Sequence, residues 1–181
     1  MSALEYPIRW FILRSASIQN PDVETLAQRA EIAMPNDDPN FVSQWRESWS
    51  DVAADIAITL GIEPVSASDA HVELAMQFRP EIGQYTGLFS AGALIQLADV
   101  AATALCNRTA QQRDPEGTTF PLSVQMSAQL VGNTNTGRAI ARSTLISAGR
   151  SVMAAQTLVR DENGKSLILL TSTHIIKAIR T

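Results

Sequence analysis

An antiparallel β-sheet wrapped round one long helix, an α+β arrangement, is the fold this sequence predicts, and three patterns point to it. From Ala91 to Leu105 the chain is apolar almost all round, the mark of a helix buried on every side. Ahead of it, His71 to Phe78 alternates as a half-buried strand does. Behind it comes a meander of further alternating stretches divided by turn-forming residues, so that five strands or more, with the helix after the first, make the sheet.

Taken in order, Met1 to Asn20 has no clear period and stays unassigned. Asn20-Pro21-Asp22 reads as an N-cap with proline at the first helical position, and Val23, Leu26, Ala27 and Ala30 give a short amphipathic helix ending near Met34. Pro35 to Asn40 breaks it. Phe41 to Leu60 carries one continuous helical stripe that includes Trp45 and Trp49, read as packing residues, and Gly61 with Pro64 terminates it. Residues 1–40 are therefore expected to be an extension with a short helix, and 41–181 the main domain. The strand from His71 closes at Arg79-Pro80. After the central helix, Arg108 to Gly117 reads as an exposed polar loop. Leu122 to Leu130 then alternates without a fault, Gly132 to Gly137 turns the chain, and Arg138 to Ala148 is the next strand. Gly149-Arg150 makes another turn. Ser151 to Arg160, a hairpin loop at Asn163-Gly164 and Ser166 to Lys177 complete the sheet.

The chain of 181 residues is a one-domain length, with 45% hydrophobic and 18% charged residues. A net charge of -4 offers no basic face for nucleic acid. Cys106 is the single cysteine, which excludes an internal disulfide and fits a reducing compartment. The apolar run Trp10 to Leu13 is bracketed by Arg9 and Arg14, too short for a membrane span and lacking a signal-peptide cleavage site. Cytoplasm is the expectation, with no membrane partner. His71 and His174 form no metal-ligand spacing with an acidic pair, and phosphate-binding glycine loops are absent, so neither a metal nor a nucleotide cofactor is expected.

One residue in the central helix demands a reason. Asp99 is the only ionisable side chain between Ala91 and Leu105, and it shares a helix face with Gln96, Thr103 and Cys106. An acid in such surroundings is either bonded to a nearby hydroxyl or backbone group, or put to chemical use. Cys106, isolated in an apolar helix, reads as packing.

The loop Gln84-Tyr85-Thr86-Gly87-Leu88-Phe89-Ser90-Ala91-Gly92, followed by Leu97-Ala98-Asp99, resembles the loop and central helix of the PaaI-like hotdog-fold acyl-CoA thioesterases. The spacing matches throughout, while Ser90 stands in place of the family histidine and Ala91 in place of the glycine after it. Pro121 to Met126 looks like the family's first long strand after the helix, and Gly149-Arg150 and Asp161 to Lys165 look like its hairpin turns. The similarity spans about residues 49–176.

The resemblance implies a hotdog fold, a homodimer or tetramer, and an acyl-CoA substrate whose coenzyme A moiety makes a separate cofactor unnecessary. It implies that Asp99 is the general base or nucleophile, that the backbone N–H of Ala91, beside Gly92, holds the thioester oxygen, and that Gln84 orients substrate or water. Ser123 falls where some relatives place a serine near the lytic water. Ser90 either assists at the loop or caps the helix. Thr103 lies on the Asp99 stripe. Arg150 occupies the turn position that meets the coenzyme A phosphates, with Arg138, Arg142 and Lys177 as helpers, and Phe89, Tyr85 and Met126 are candidates for the pocket lining. By helix rise Ala91 and Asp99 are about 12 Å apart, so one helix cannot serve both roles, and the family builds its site across two subunits. A module that binds acyl-CoA without turnover is the alternative. A dehydratase would need a histidine paired with an acid near the helix, and neither histidine is near it in sequence.

Overall fold

The structure, a computed structural model, describes residues 37–49 and 55–178. The helix expected between Asn20 and Met34 lies outside the described residues, as does the rest of the expected extension up to residue 36. The elements are α1 (Phe41–Trp49), α2 (Ile56–Leu60), β1 (Ile62–Ala67), β2 (His71–Gln77), a 3-10 turn (Pro80–Ile82), α3 (Ala91–Gln111), β3 (Thr119–Leu130), β4 (Arg138–Ala148), β5 (Val152–Asp161) and β6 (Ser166–Ala178). The strands form a six-stranded sheet in the order β1-β2-β4-β5-β6-β3, every neighbouring pair antiparallel.

Helix α3 lies on one face of this sheet. Its Ala98, Ala101 and Ala102 are fully buried, and such small side chains let the helix approach the strands closely. Leu94, Leu97 and Leu105 fill the space on either side, against Leu74, Met76, Ile168 and Leu170. Each fully buried leucine of this kind contributes about 1.5–3 kcal/mol by leaving water. The inner faces of β4 and β5 show why the sheet fits: Ala139, Ala141, Ala155 and Val159 alternate with outward residues, as period two requires.

Four expectations need correction. The stripe from Phe41 to Leu60 belongs to two helices, because Asp55 is extended (φ −146°, ψ 156°) and its side chain accepts the Ala57 N–H at 2.7 Å, starting α2 afresh. Residues 62–67, read as the sequel of a helix stop, form a sixth strand; Pro64 is tolerated there because β1 is an edge. Helix α3 runs on to Gln111 through residues expected to loop, since Thr109 donates to the Leu105 carbonyl (2.9 Å) and Arg108 pairs with Asp38 (2.7 Å). Nor is α3 buried all round: Gln96, Asp99, Val100, Thr103, Ala104 and Asn107 form a half-buried stripe that borders the start of β3.

Strand β3 departs most from its pattern. A bulge between Ser123 and Gln125 shifts the alternation, so Ser123 pairs with the fully buried His174 and faces the helix, and Met126 pairs with the buried Ser172. The apolar residues of this edge strand, Phe120, Leu122, Val124, Met126 and Leu130, remain between 40% and 53% exposed. Among the described residues nothing covers them.

Candidate active site

Helix α3 presents two separate chemical features. At its start, Ser90 is the N-cap, its Oγ accepting the Ala93 N–H at 3.1 Å. That leaves the amides of Ala91 and Gly92 pointing out of the helix end, where the macrodipole adds about half a positive charge. Space is open beside Gly92, where an added Cβ would meet nothing within 4 Å. The preceding loop is held firmly: Ser90 N–H donates to the Ile82 carbonyl (3.0 Å), Phe89 N–H to the Thr134 carbonyl (3.0 Å), and Asn133 Nδ2 to the Phe89 carbonyl (2.9 Å). Gly87 makes the turn within it at φ 77°, a left-handed conformation that favours glycine.

Further along α3, Asp99 meets β3. Ser123 Oγ donates to Asp99 Oδ1 at 2.7 Å, and Thr103 Oγ1, one turn on, stands 3.4 Å from the same Ser123 oxygen. Asp99 Oδ2 has no hydrogen-bond partner among the described residues. Both residues line a cavity of about 1050 Å³ between α1, the start of α2, α3 and the first half of β3. Its apolar wall includes Phe41, Trp45, Ile56, Val100 and Leu122, and its polar groups include Gln96 and Asn107. Trp45, expected as packing, is half-buried and packs on Phe41 with ring centroids 6.0 Å apart while lining this cavity; the Trp49 side chain lies outside the described structure.

The structure therefore brings Asp99, Thr103 and Ser123 together at the cavity, and groups Gln84, Ser90, Ala91 and Gly92 at the helix start. The Gln84 side chain is exposed, its backbone closing the turn by bonds to Leu88 and Gly87. Phe89, expected at the substrate, is fully buried and packs edge-on against Phe78, centroids 5.0 Å apart; it supports the loop from within the core. Arg142, expected near coenzyme A, is tied to Glu73 at 2.7 Å on the sheet's opposite face. Arg150 is exposed at the β4–β5 turn and lines a second cavity with Arg113, whose guanidinium donates to the Ala148 and Gly149 carbonyls at 3.0 and 3.2 Å.

Sequence reasoning missed His174. It sits directly across from Ser123 in the β3–β6 ladder, Nδ1 3.3 Å from Ser123 Oγ, and its Nε2 lies 2.9 Å from Ser172 Oγ. Burial pushes its pKa below the ordinary value, opposed by the Asp99 charge. A signal existed: Ile168, Leu170, Ser172 and His174 are the inward positions of β6, and the last two interrupt an apolar run with polar groups. Cys106 is buried and its thiol is pushed up to about 12 by that burial, so it is no nucleophile at neutral pH. Among the described residues no cluster of three or more His, Cys, Asp or Glu side chains is placed to hold a metal, and no helix is long and apolar enough to cross a membrane.

No family model matches this sequence, and no curated protein matches it. Solved structures do. The chain is similar to thioesterase HI1161 of Haemophilus influenzae, at 19% identity and a TM-score of 0.67 over 77% of this chain and 92% of that one. A variant of thioesterase PA1618 of Pseudomonas aeruginosa gives 17% identity and a TM-score of 0.67 over 82% and 98%. The E. coli PaaI protein from the phenylacetic acid degradation operon gives 16% and 0.61 over 75% and 93%. The fold read from the loop and central helix thus holds in three dimensions: the chain has the hotdog fold, which it shares with these structures.

Proposed function

We propose that this protein is an acyl-CoA thioesterase that works as a homodimer, hydrolysing an acyl or aryl thioester to a carboxylic acid and free coenzyme A. The observation that carries the reading is the Asp99–Ser123 pair at the wall of a large, mostly apolar cavity, with one carboxylate oxygen unpartnered among the described residues. An oriented carboxylate of this kind can take a proton from water as it attacks the thioester carbon, or attack that carbon itself. The C–O bond forms, the carbonyl oxygen gains charge, and the C–S bond then breaks; on the base route the thiolate takes the proton that Asp99 had accepted, and on the direct route a water molecule afterwards splits the acyl-Asp99 anhydride, releasing the acid, regenerating the carboxylate and supplying the thiolate's proton. The developing oxyanion needs donors, and the free amides of Ala91 and Gly92 are suited to it. With about 12 Å of helix between them and Asp99, the donors come from the partner's helix. The exposed apolar edge of β3 supports such a pairing. In this reading Gln84, in the loop before the helix start, orients substrate or water, and the exposed Arg150 meets the phosphates of coenzyme A.

The test is release of free thiol from a panel of acyl-CoA thioesters, with Asp99→Ala and Asp99→Asn as controls. Turnover by the wild type, lowered at least about a hundredfold in both variants, is the expected result. One observation favours a second reading, binding without hydrolysis: Ser90 stands in place of the family histidine, and its oxygen serves as the helix cap by accepting the Ala93 N–H. Tight acyl-CoA binding with no thiol released would select it.

A further inference from the structure

Resting on the hydrolase reading above, we infer that His174 is a positioning residue for Asp99, holding Ser123 as an obligate donor to the carboxylate through a one-way chain of hydrogen bonds from Ser172. An ionised carboxylate only accepts, so the 2.7 Å contact requires the Ser123 hydroxyl hydrogen to lie between Ser123 Oγ and Asp99 Oδ1. That hydroxyl has one hydrogen. Its 3.3 Å contact with His174 must then be a bond that Ser123 accepts, so the imidazole carries its hydrogen on Nδ1. Nε2 is left as an acceptor, and Ser172 Oγ, 2.9 Å away, donates to it. The order is Ser172 O–H to His174, His174 Nδ1–H to Ser123, Ser123 O–H to Asp99.

Every member sits where the ring cannot turn over freely. His174 and Ser172 are fully or almost fully buried on the inner face of β6, and the β3 bulge sets Ser123 directly opposite the imidazole. Were the tautomer reversed, two acceptors would face each other at Ser123 unless its hydrogen left Asp99. The chain therefore fixes the rotation of the Ser123 hydroxyl and pins Asp99, which lines the cavity, through Oδ1. His174 touches no reacting atom; it acts through Ser123.

An asparagine amide overlays the Nδ1 end of histidine, and a glutamine amide the Nε2 end, so the two variants separate this role from simple filling of space. With thermal melts showing folded protein, His174→Gln is expected to lower kcat for thiol release about tenfold with little change in KM, and His174→Asn to restore most of it. In a Ser123→Ala background His174→Gln is expected to add nothing further. Nitrogen-15 NMR of the wild-type imidazole is expected to report the Nδ1–H tautomer, a readout independent of turnover and of how the variants fold. Equal kcat in the asparagine, glutamine and wild-type enzymes, equal slowing in both variants, or an Nε2–H tautomer each overturns the assignment while the hydrolase reading stands. No thiol release by the wild type from any thioester overturns the hydrolase reading and the positioning role with it.

Discussion

Lysine at positions 124 and 126 is expected to turn a dimer into a monomer. Val124 and Met126 sit on the β3 edge, 53% and 45% exposed in the single chain, so a partner has about half of each side chain left to cover. Complete burial of such a residue is worth about 1.5–3 kcal/mol, and the remaining half about 1 kcal/mol. A two-fold interface uses the same patch on both copies, so two substitutions remove four contributions, about 4 kcal/mol in all. At 1.4 kcal/mol per factor of ten, the dissociation constant of Val124→Lys with Met126→Lys is expected to rise about a thousandfold, before any repulsion between facing lysines. Folding of the lone chain is expected to change by about 1 kcal/mol or less per site, because about half of each side chain is already covered there and the lysine stem replaces part of that cover. Sedimentation velocity over a dilution series from micromolar to nanomolar protein, with a thermal melt alongside, reads both quantities. A wild type that is monomeric throughout, or a double variant that pairs as tightly as wild type, refutes the edge as the dimer contact.

Three further outcomes follow from the same structure. Removing the helix cap in Ser90→Ala is expected to cost about 1 kcal/mol, visible as a lower melting temperature, while Ser90→Asp keeps the acceptor and the stability; an unchanged melt for the alanine variant contradicts the cap. Cys106 is expected to stay silent toward a thiol reagent until the protein unfolds, since burial pushes its thiol up to about 12, and rapid native-state labelling argues against that burial. Stability is expected to fall as the medium is acidified below the ordinary histidine value of 6.5. Burial lowers the pKa of both His71 and His174, with Arg142 adding to it at His71 while Glu73 and Asp37 oppose it, and Asp99 opposing it at His174. The unfolded chain binds protons below 6.5 that the folded chain does not, so the contribution present above that value is lost on the way down to the folded ones. Melting temperatures that stay level from neutrality to about pH 5 run against this account.

The central helix, the strand before it and the four strands after it were legible because each has a period that side-chain direction enforces. Less local features were not. Pro64 looked like punctuation because a proline breaks a central strand, and only the sheet order reveals that its strand lies at an edge. The stripe from Phe41 to Leu60 has the right spacing for one helix, yet the Asp55 carboxylate competes for a backbone amide and starts a new one. In β3 the alternation of residues is perfect, but a bulge uncouples it from the alternation of faces. Asp99 announced itself as a lone acid among apolar residues. Ser123 and His174 lie 24 and 75 positions away in the chain (123 − 99 and 174 − 99), and only the pairing of β3 with β6 brings them to it.

The two rims of the sheet have opposite characters. One ends in β3, rich in uncovered valine, leucine and methionine; the other ends in β1, where Pro64 supplies no N–H, the ladder slips between Pro64 and Ser66, and Glu63 faces water. A molecule sticky along both borders would stack into ribbons without limit. On the proposed pairing, the described sheet zips to a twin along a single border and is then blunt at each end, so growth along the sheet stops at a closed pair.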